Sequence, residues 1–422
     1  MEKTQYPAVF IHGTLGWGRK TPFFNLGPDY WPVQDLDEVN PNYFVVEVGI
    51  GSSDHDRACE TFYQLFGGRV NYGEEHCTDK GHLQYGVTFD TPMHPTWSED
   101  NPVHLIGHSY GATTALELYQ LLCVDFFGVG SNYKWVKSII SISGTLSGTT
   151  ITSMMGSSPE HPAPFGSISY VVACGLATLH KFQLYAPWLK RVYDLRMSQW
   201  NNCANWSTLF DPTSKPLKTD DNVFTCLLPQ YRLERNQRLI HMDKLHLFSI
   251  VSQTRGMTYP IVELAGICSI VALWKFKKPK IWIGLLSLWL WRRFFRLDWS
   301  KSSLVLAWLM KKHAEKADPL YDGFDKDSWQ HSDGVVNSYS MIRPRHHMED
   351  VPEQDRKMER CPSHVSIDMG HHDSCAIPKG QWHVYRVAKN HLCGTRGDSD
   401  AKELYTRLFR MLNEISLASP AV

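Results

Sequence analysis

Short apolar runs alternate with helix-like patterns through the first half of the chain. The runs lie at Ala8–Ile11, Phe44–Val48, Val103–Ile106 and Val136–Ile142. This alternation predicts a mostly parallel central sheet flanked by helices, which is an α/β fold. A further apolar run, Leu247–Val251, predicts a strand that returns to the sheet, and the spacing over Ala401–Ile415 predicts an amphipathic C-terminal helix.

The sheet pattern stops near residue 150. From Met154 to about Leu228 the chain has a helix-and-loop pattern rich in Trp, Tyr and Pro, which predicts a helical lid or cap. The predicted regions are the core at 1–150 with an insertion at about 52–90, the lid at 151–246, the returning strand at 247–260, an apolar helical insertion at 261–317 and the C-terminal part of the core at 318–422.

The apolar insertion has two halves, Ile261–Leu273 and Ile281–Trp291, with basic and aromatic residues between and after them. Each half is shorter than the ~20 residues that span a bilayer. Aromatic and basic flanks favour a helical hairpin over 261–296 that lies in a membrane interface or enters one leaflet. Two buried helices of the cap are the alternative.

Composition narrows the function classes. With 43 basic and 43 acidic residues the chain has no net formal charge, so we expect no nucleic-acid partner. The ten cysteines show no paired C-x-x-C spacing, which argues against a zinc ribbon or a small disulfide scaffold. Met1–Pro7 leads into the first strand without an apolar leader, so we expect an intracellular protein without a signal peptide, peripheral or monotopic on a membrane.

The segment Gly107-His108-Ser109-Tyr110-Gly111 follows an apolar strand and precedes a helical pattern over Ala112–Leu122. A strand, a sharp turn and a helix around G-x-S-x-G predict a nucleophile elbow. The turn would present the Ser109 hydroxyl at a helix N-terminus, where the helix dipole favours a developing oxyanion. The alternative is an ordinary Gly/Ser turn, which would not require a strand before it and a helix after it.

A serine nucleophile needs a base, and the base needs an orienting acid. With this elbow the chain order is Ser, then acid, then His. Asp333 lies in a turn downstream, and His391 lies in a loop after the strand-like Trp382–Val387. The competing candidates for the base are His371, His372 and His383.

An oxyanion hole takes one amide from the residue after the nucleophile and one from the loop after the first core strand. These would be the amides of Tyr110 and of Thr14 in the loop Ile11–Gly18. A simple Gly-rich turn is the alternative, and the loop lacks the Gly-Lys-Ser/Thr of a phosphate loop.

Three further motifs carry a family resemblance. They are Asp56-Arg57-Ala58, Gly67-Gly68-Arg69-Val70-Asn71-Tyr72-Gly73 and Gly81-His82. With the elbow, they make the chain resemble the staphylococcal and thermophilic-bacillus type of triacylglycerol lipase, and still more its eukaryotic relatives. The resemblance implies an α/β-hydrolase fold with Ser109 as nucleophile, Asp333 as acid and His391 as base. Asn390 stands where the family usually has Asp before the histidine.

The resemblance also implies metals. A structural zinc ion between the core and the lid-supporting insertion would be held by Asp56, His76, His82 and Asp221. Two His and two carboxylates form a closed four-coordinate site with no position for water. A family calcium site is doubtful here, because Cys393 stands where an acidic ligand is expected and only Asp398 remains as a candidate.

These features predict a serine-dependent carboxylic ester hydrolase that acts on lipid acyl esters at a membrane or lipid-droplet surface. A phospholipase or an acyltransferase using the same serine is one alternative. A non-catalytic, membrane-docked binding protein on the same fold is the other, because a fold alone does not guarantee chemistry.

Overall fold

The computed structural model describes residues 3–203, 218–254, 299–346 and 377–417. The predicted apolar hairpin over 261–296 lies outside these residues. Within the described residues, no helix combines the length and the hydropathy needed to cross a bilayer.

The central sheet has six strands in the order β2-β1-β5-β6-β7-β8, and every neighbouring pair is parallel. A separate antiparallel pair, β3 and β4, lies in the predicted insertion. The strands are β1 Ala8–Ile11, β2 Tyr43–Val46, β3 Gly68–Asn71, β4 Tyr85–Phe89, β5 Val103–His108, β6 Val136–Ile142, β7 His246–Ser252 and β8 Trp382–Val387.

Helices cover both faces of the sheet. The α-helices are Val33–Val39, Asp54–Phe66, Glu74–Lys80, Tyr110–Cys123, Thr150–Met154, Ile168–Tyr185, Val223–Cys226, Pro229–Asn236, Trp299–Lys316, Ser338–Ile342 and Ala401–Leu417, and Pro22–Asn25 forms a kinked turn. Short 3₁₀ turns lie at Tyr133–Trp135, Pro187–Arg191, Ser198–Cys203, Met242–Lys244 and Ser328–Gln330.

The core lies on both sides of the sheet, because successive side chains of a strand point to opposite faces. In β1, Val9 joins the layer formed with helix Asp54–Phe66, whereas Phe10 joins the layer formed with helix Ala401–Leu417. Burial on both faces explains the continuous apolar runs of the sequence. The prediction of a mostly parallel α/β fold is confirmed.

Several strand boundaries in the sequence prediction are wrong by one or two residues: β2 begins at Tyr43, β5 ends at His108 and β7 spans His246–Ser252. β2 ends at Val46 rather than Val48. The amide of Glu47 donates to Gln64 Oε1, and the amide of Val48 donates to His12 Nε2, so side chains replace a neighbouring strand as acceptors.

Parallel strands bring their carboxyl ends to one edge of the sheet, where ligands bind in open α/β folds. The loop that begins at His12, the residue Ser109 and the loop around His391 follow β1, β5 and β8, respectively. Three distant parts of the chain thus meet at this edge.

Candidate active site

Ser109 occupies a strained turn between β5 and the helix Tyr110–Cys123. Its backbone has φ 56° and ψ −124°, a region that residues with a side chain rarely adopt. A Cβ on Gly107 would lie 2.3 Å from the Gly111 carbonyl oxygen, and a Cβ on Gly111 would lie 2.0 Å from the Ile11 carbonyl oxygen. Only glycine fits at both positions, so the sequence permits this turn.

The structure brings Ser109, His391 and Asp333 together. His391 Nε2 lies 2.9 Å from Ser109 Oγ, and His391 Nδ1 lies 2.8 Å from Asp333 Oδ2. A carboxylate only accepts hydrogen bonds, so in the neutral ring Nδ1 carries the proton and donates to Asp333. Nε2 then accepts a hydrogen bond from the Ser109 hydroxyl. The three side chains are buried, with Asp333 fully inaccessible.

Asp333 is held by four donors. Besides His391, the Ser252 hydroxyl donates to Oδ2 at 2.7 Å, and the amides of Val335 and Val336 donate to Oδ1 at 3.0 Å and 2.9 Å. The tight turn predicted at this position supplies the two amides. These bonds fix the carboxylate in the orientation that faces the imidazole.

The competing histidine that the structure describes, His383, stands elsewhere. His383 lies within β8, where its Nε2 is 3.2 Å from the Pro378 carbonyl oxygen. His371 and His372 lie outside the described residues. Among the described candidates, the structure brings His391 to the serine.

The loop after β1 packs directly against the elbow. A Cβ on Gly13 would lie 2.8 Å from Ser109 Cβ, so this glycine permits the close approach. Thr14 follows it, and its buried Oγ1 has no hydrogen-bond partner among the described residues. Tyr110 is fully buried and begins the helix after the serine. The proposed role of both amides in an oxyanion hole stays a prediction.

Sequence reasoning missed a hydrogen-bonded chain beneath the site. The Gly13 amide donates to the Tyr30 phenol oxygen at 3.0 Å, and this phenol lies 2.6 Å from His108 Nδ1. His108 Nε2 lies 2.7 Å from the His391 carbonyl oxygen and must therefore carry the proton. Burial, followed by the neighbouring His391, lowers the pKa of His108 to about 3, so this ring is neutral. The motif placed His108 beside Ser109, but no sequence signal pointed to Tyr30.

Arg57, which belongs to the Asp56-Arg57-Ala58 motif, supports the loop after β1. Its guanidinium donates to the carbonyls of His12 and Gly49 and to Thr114 Oγ1, and it stacks 4.6 Å from the centre of the Tyr110 ring. The side chain is fully buried. Arg57 thus joins the loop after β1 to the helix that follows Ser109.

The four predicted metal ligands form one cluster. Their ligand atoms all lie within 4.8 Å of one another, and the set comprises Asp56, His76, His82 and Asp221. His76 Nε2 lies 3.3 Å from Asp56 Oδ1 and 3.3 Å from Asp221 Oδ1, and His82 Nε2 lies 3.2 Å from Asp221 Oδ2. One buried atom of each residue has no hydrogen-bond partner among the described residues.

The donor set of this cluster fits a metal ion. Ligand atoms bound at the usual zinc distances in a tetrahedron lie about 3.3 Å apart. The three distances above are close to this value, whereas His82 Nε2 lies 3.7 Å from Asp56 Oδ1. The His82 Nδ1 atom lies 2.9 Å from the Leu83 carbonyl oxygen, and Gln199 Nε2 donates to Asp56 Oδ2 at 2.8 Å. Such outer contacts orient the ligands of a metal site.

The surface next to the site is concave, and its lining combines aromatic side chains with six charged residues, Lys20, Glu47, Lys190, Arg191, Asp194 and Arg196. A cavity of about 470 Å³ lies beside the loop after β1, with His12, Trp17 and Tyr193 among its lining residues. Large apolar side chains are exposed nearby on two segments that share a hydrogen bond from the Phe23 amide to the Val192 carbonyl. These side chains are Phe23, Phe24, Leu26 and Trp188.

Comparison with known proteins places the chain near one enzyme class. Residues 4–127 match the family described as "Lipase-like, C-terminal domain". Lipase 2 of Staphylococcus aureus is 39% identical over 125 residues, and Lipase 1 of the same species is 34% identical over 130 residues. Each alignment covers 28% of this chain and 18% of the relative.

Two solved structures extend the similarity over nearly the whole chain. EstA from Clostridium botulinum superimposes with a TM-score of 0.64 at 22% identity, covering 98% of this chain and 88% of its own. Staphylococcus hyicus lipase gives a TM-score of 0.64 at 18% identity, with both chains fully covered. These structures show the shared fold. The predicted resemblance to staphylococcal-type lipases is confirmed.

Proposed function

We propose that the protein is a serine-dependent carboxylic ester hydrolase that acts on lipid acyl esters. The observation that carries the proposal is the continuous hydrogen bonding from Ser109 through His391 to Asp333. The resemblance to lipases, which covers the segment containing Ser109, supports acyl esters as the substrate class.

In the proposed mechanism His391 takes the Ser109 proton through Nε2 while the serine oxygen attacks the ester carbonyl. The amides of Thr14 and Tyr110 stabilise the tetrahedral oxyanion. His391 then gives its proton to the departing alcohol, and the same base activates the water that deacylates the enzyme. Asp333 holds the imidazole in the required tautomer throughout.

We propose zinc as the metal of the four-residue cluster, with a structural role. Bound there, the ion would supply only a cross-link, because four protein ligands leave no open position for chemistry. Its ligands would tie Asp56, at the start of helix Asp54–Phe66, to His76 and His82 further along the insertion and to Asp221 in the predicted lid region.

The exposed apolar side chains favour an aggregated lipid as the substrate form. Contiguous exposed apolar surface beside a cavity marks an interaction site. Phe23 and Phe24, together with the exposed Trp188, would contact a membrane or lipid-droplet surface next to the cavity. The predicted hairpin over 261–296 would add to this attachment.

The test is release of fatty acid from emulsified triolein and from phosphatidylcholine vesicles. Ser109→Ala should lower the rate of release by several orders of magnitude, leaving residual oxyanion-hole catalysis. Ser158→Ala, which changes a serine outside the site, is the matched control and should behave as wild type. The ratio of the two substrates separates a lipase from a phospholipase. Absence of both activities, with no labelling of Ser109 by a fluorophosphonate, would favour the non-catalytic binding protein.

A further inference from the structure

A partly buried ion cluster holds the loop that carries His391. The Lys389 ammonium contacts the Asp398 carboxylate and lies 3.0 Å from Asp400 Oδ2. The side chains of Lys389 and Asp398 are only 10% and 5% exposed, so water screens their interaction less than that of Lys389 with Asp400, whose side chain is 42% exposed. Lys389 precedes His391 by two residues, so the ion cluster is attached to the loop that carries the candidate base.

Asp398 is also bound from within the loop. The Gly394 amide donates to Oδ2 at 2.8 Å, and the Asp400 amide donates to Oδ1 at 3.1 Å. The loop from Lys389 to Asp400 therefore folds around one carboxylate. The helix Ala401–Leu417 begins directly after it and packs in the core.

The backbone of His391 has two further attachments to the site. Its amide donates to the Asp333 carbonyl at 3.2 Å, and its carbonyl accepts from His108 Nε2 at 2.7 Å. The Lys389 amide donates to the Val387 carbonyl at 3.0 Å, which continues β8 into the loop. The position of the imidazole relative to Ser109 thus depends on these two bonds and on the loop that Lys389 holds.

The donor set of this loop does not fit calcium. Calcium takes six to eight oxygen ligands. Here the buried thiol of Cys393 occupies the place where the resemblance implies an acidic ligand, and the Asp398 carboxylate is already paired with an ammonium. A divalent cation at Asp398 would have to displace Lys389 from its two carboxylates.

The lysine is charged in this position. Burial acts to lower the pKa of Lys389, but the hydrogen bonds and charges of Asp398 and Asp400 raise this pKa by more, and the balance lies above the ordinary value. A positive charge therefore stands against Asp398, the one carboxylate that the resemblance leaves as a candidate calcium ligand.

We propose that Lys389 is a positioning residue that acts as a built-in cation for the His391 loop, so that the geometry of the base is independent of calcium. This inference rests on the proposed hydrolase function. Lys389 does not touch the reacting atoms; it acts through the position of His391.

The first experiment compares wild type, Lys389→Gln and Lys389→Arg in the hydrolysis of p-nitrophenyl butyrate, a soluble ester. A misplacement of the base by an ångström costs up to about 100-fold in rate, so Lys389→Gln should lose kcat by about 10- to 100-fold with KM little changed. Lys389→Arg keeps the charge and should recover most of kcat. Lys402→Gln removes the exposed ion pair with Glu38 and serves as the matched control.

The second experiment adds calcium to wild type and to Asp398→Asn and measures kcat and the midpoint of thermal unfolding. Wild type should show no calcium response in either quantity. A rise in wild type that Asp398→Asn abolishes would reveal a calcium site at this loop and overturn the inference.

The failures are distinguishable. An active wild type with an equally active Lys389→Gln overturns the positioning role alone. An inactive wild type whose Ser109 resists a fluorophosphonate overturns the proposed function and the positioning role with it. The calcium effect on thermal unfolding then still decides whether the loop binds a divalent ion.

Discussion

The phenol of Tyr30 lies 2.6 Å from Nδ1 of His108, and this contact connects the two halves of the candidate site. On one side the phenol accepts the amide of Gly13, in the loop that would stabilise the oxyanion. On the other side His108 donates to the carbonyl of His391. The neutral ring of His108 fixes the direction of each hydrogen bond in this series: His108 Nε2 donates to His391, the Tyr30 hydroxyl donates to His108 Nδ1, and the Gly13 amide donates to Tyr30.

Removing the Tyr30 hydroxyl should therefore disturb both halves at once. Tyr30→Phe leaves the Gly13 amide and His108 Nδ1 without partners, and we expect kcat for a soluble ester to fall by about tenfold. Tyr43→Phe removes a phenol that bonds Asp37, away from the site, and should leave kcat unchanged. Steady-state kinetics that show equal kcat values for both variants would refute the coupling.

Asp333→Asn tests the orienting role of the acid. An amide can turn its NH₂ toward His391 Nδ1 and favour the tautomer that donates toward Ser109, so kcat should fall by about four orders of magnitude. The control Asp322→Asn changes an exposed aspartate in the same region and should retain full activity. A loss of less than tenfold in Asp333→Asn would show that another group orients the imidazole.

The elbow could be predicted from sequence because its constraints are local. Gly107 and Gly111 must be glycines wherever this turn forms, and the flanking strand and helix have their own periodicities. Asp333 and His391 could be ranked only through the chain order and the family resemblance, because spacing alone does not specify which loops meet. Tyr30 could not be found, since its contact with His108 spans 78 residues and depends on how the sheet folds.

The metal cluster should contribute to stability rather than to the chemical step. We expect about one zinc ion per chain by elemental analysis, and chelation or His82→Ala should lower the midpoint of thermal unfolding, since an ion that binds only the folded state stabilises it. The exposed His161→Ala is the control and should keep both metal and stability. A purified wild type that neither contains zinc nor is stabilised by it would contradict the proposal.

Gly111 should not tolerate a side chain. Its Cβ would meet the Ile11 carbonyl oxygen at 2.0 Å, a backbone atom that cannot move without displacing β1, so Gly111→Ala should yield little folded protein. Gly175 lies in helix Ile168–Tyr185 with nothing within 4 Å of a built Cβ. Gly175→Ala should raise the free energy of unfolding by about 1 kcal/mol. Circular dichroism measures how much of Gly111→Ala is folded, and urea unfolding measures the free energy of unfolding of Gly175→Ala. A stable Gly111→Ala would contradict the close approach of the elbow to β1.

Buried His104 should make the protein sensitive to acid. The side chain lies in β5, its Nδ1 atom is 2.8 Å from Ser138 Oγ, and burial, followed by the Lys137 ammonium, lowers its pKa to about 3. Between pH 6.5 and pH 3 the unfolded state binds a proton at this position that the folded state does not. The free energy of unfolding therefore falls as the pH falls, by about 2 kcal/mol for this one group between pH 6.5 and pH 5.

His104→Gln removes this titration and should flatten the dependence of the unfolding free energy on pH by that amount, whatever its effect at neutral pH. The slope that remains comes from other buried histidines such as His12, whose pKa burial also lowers to about 3. His161→Gln changes an exposed histidine and should leave the slope of wild type intact. The measurement is urea unfolding at a series of pH values. If the free energies of unfolding of wild type and His104→Gln depended on pH in the same way, His104 would be protonated as readily in the folded chain as in the unfolded one.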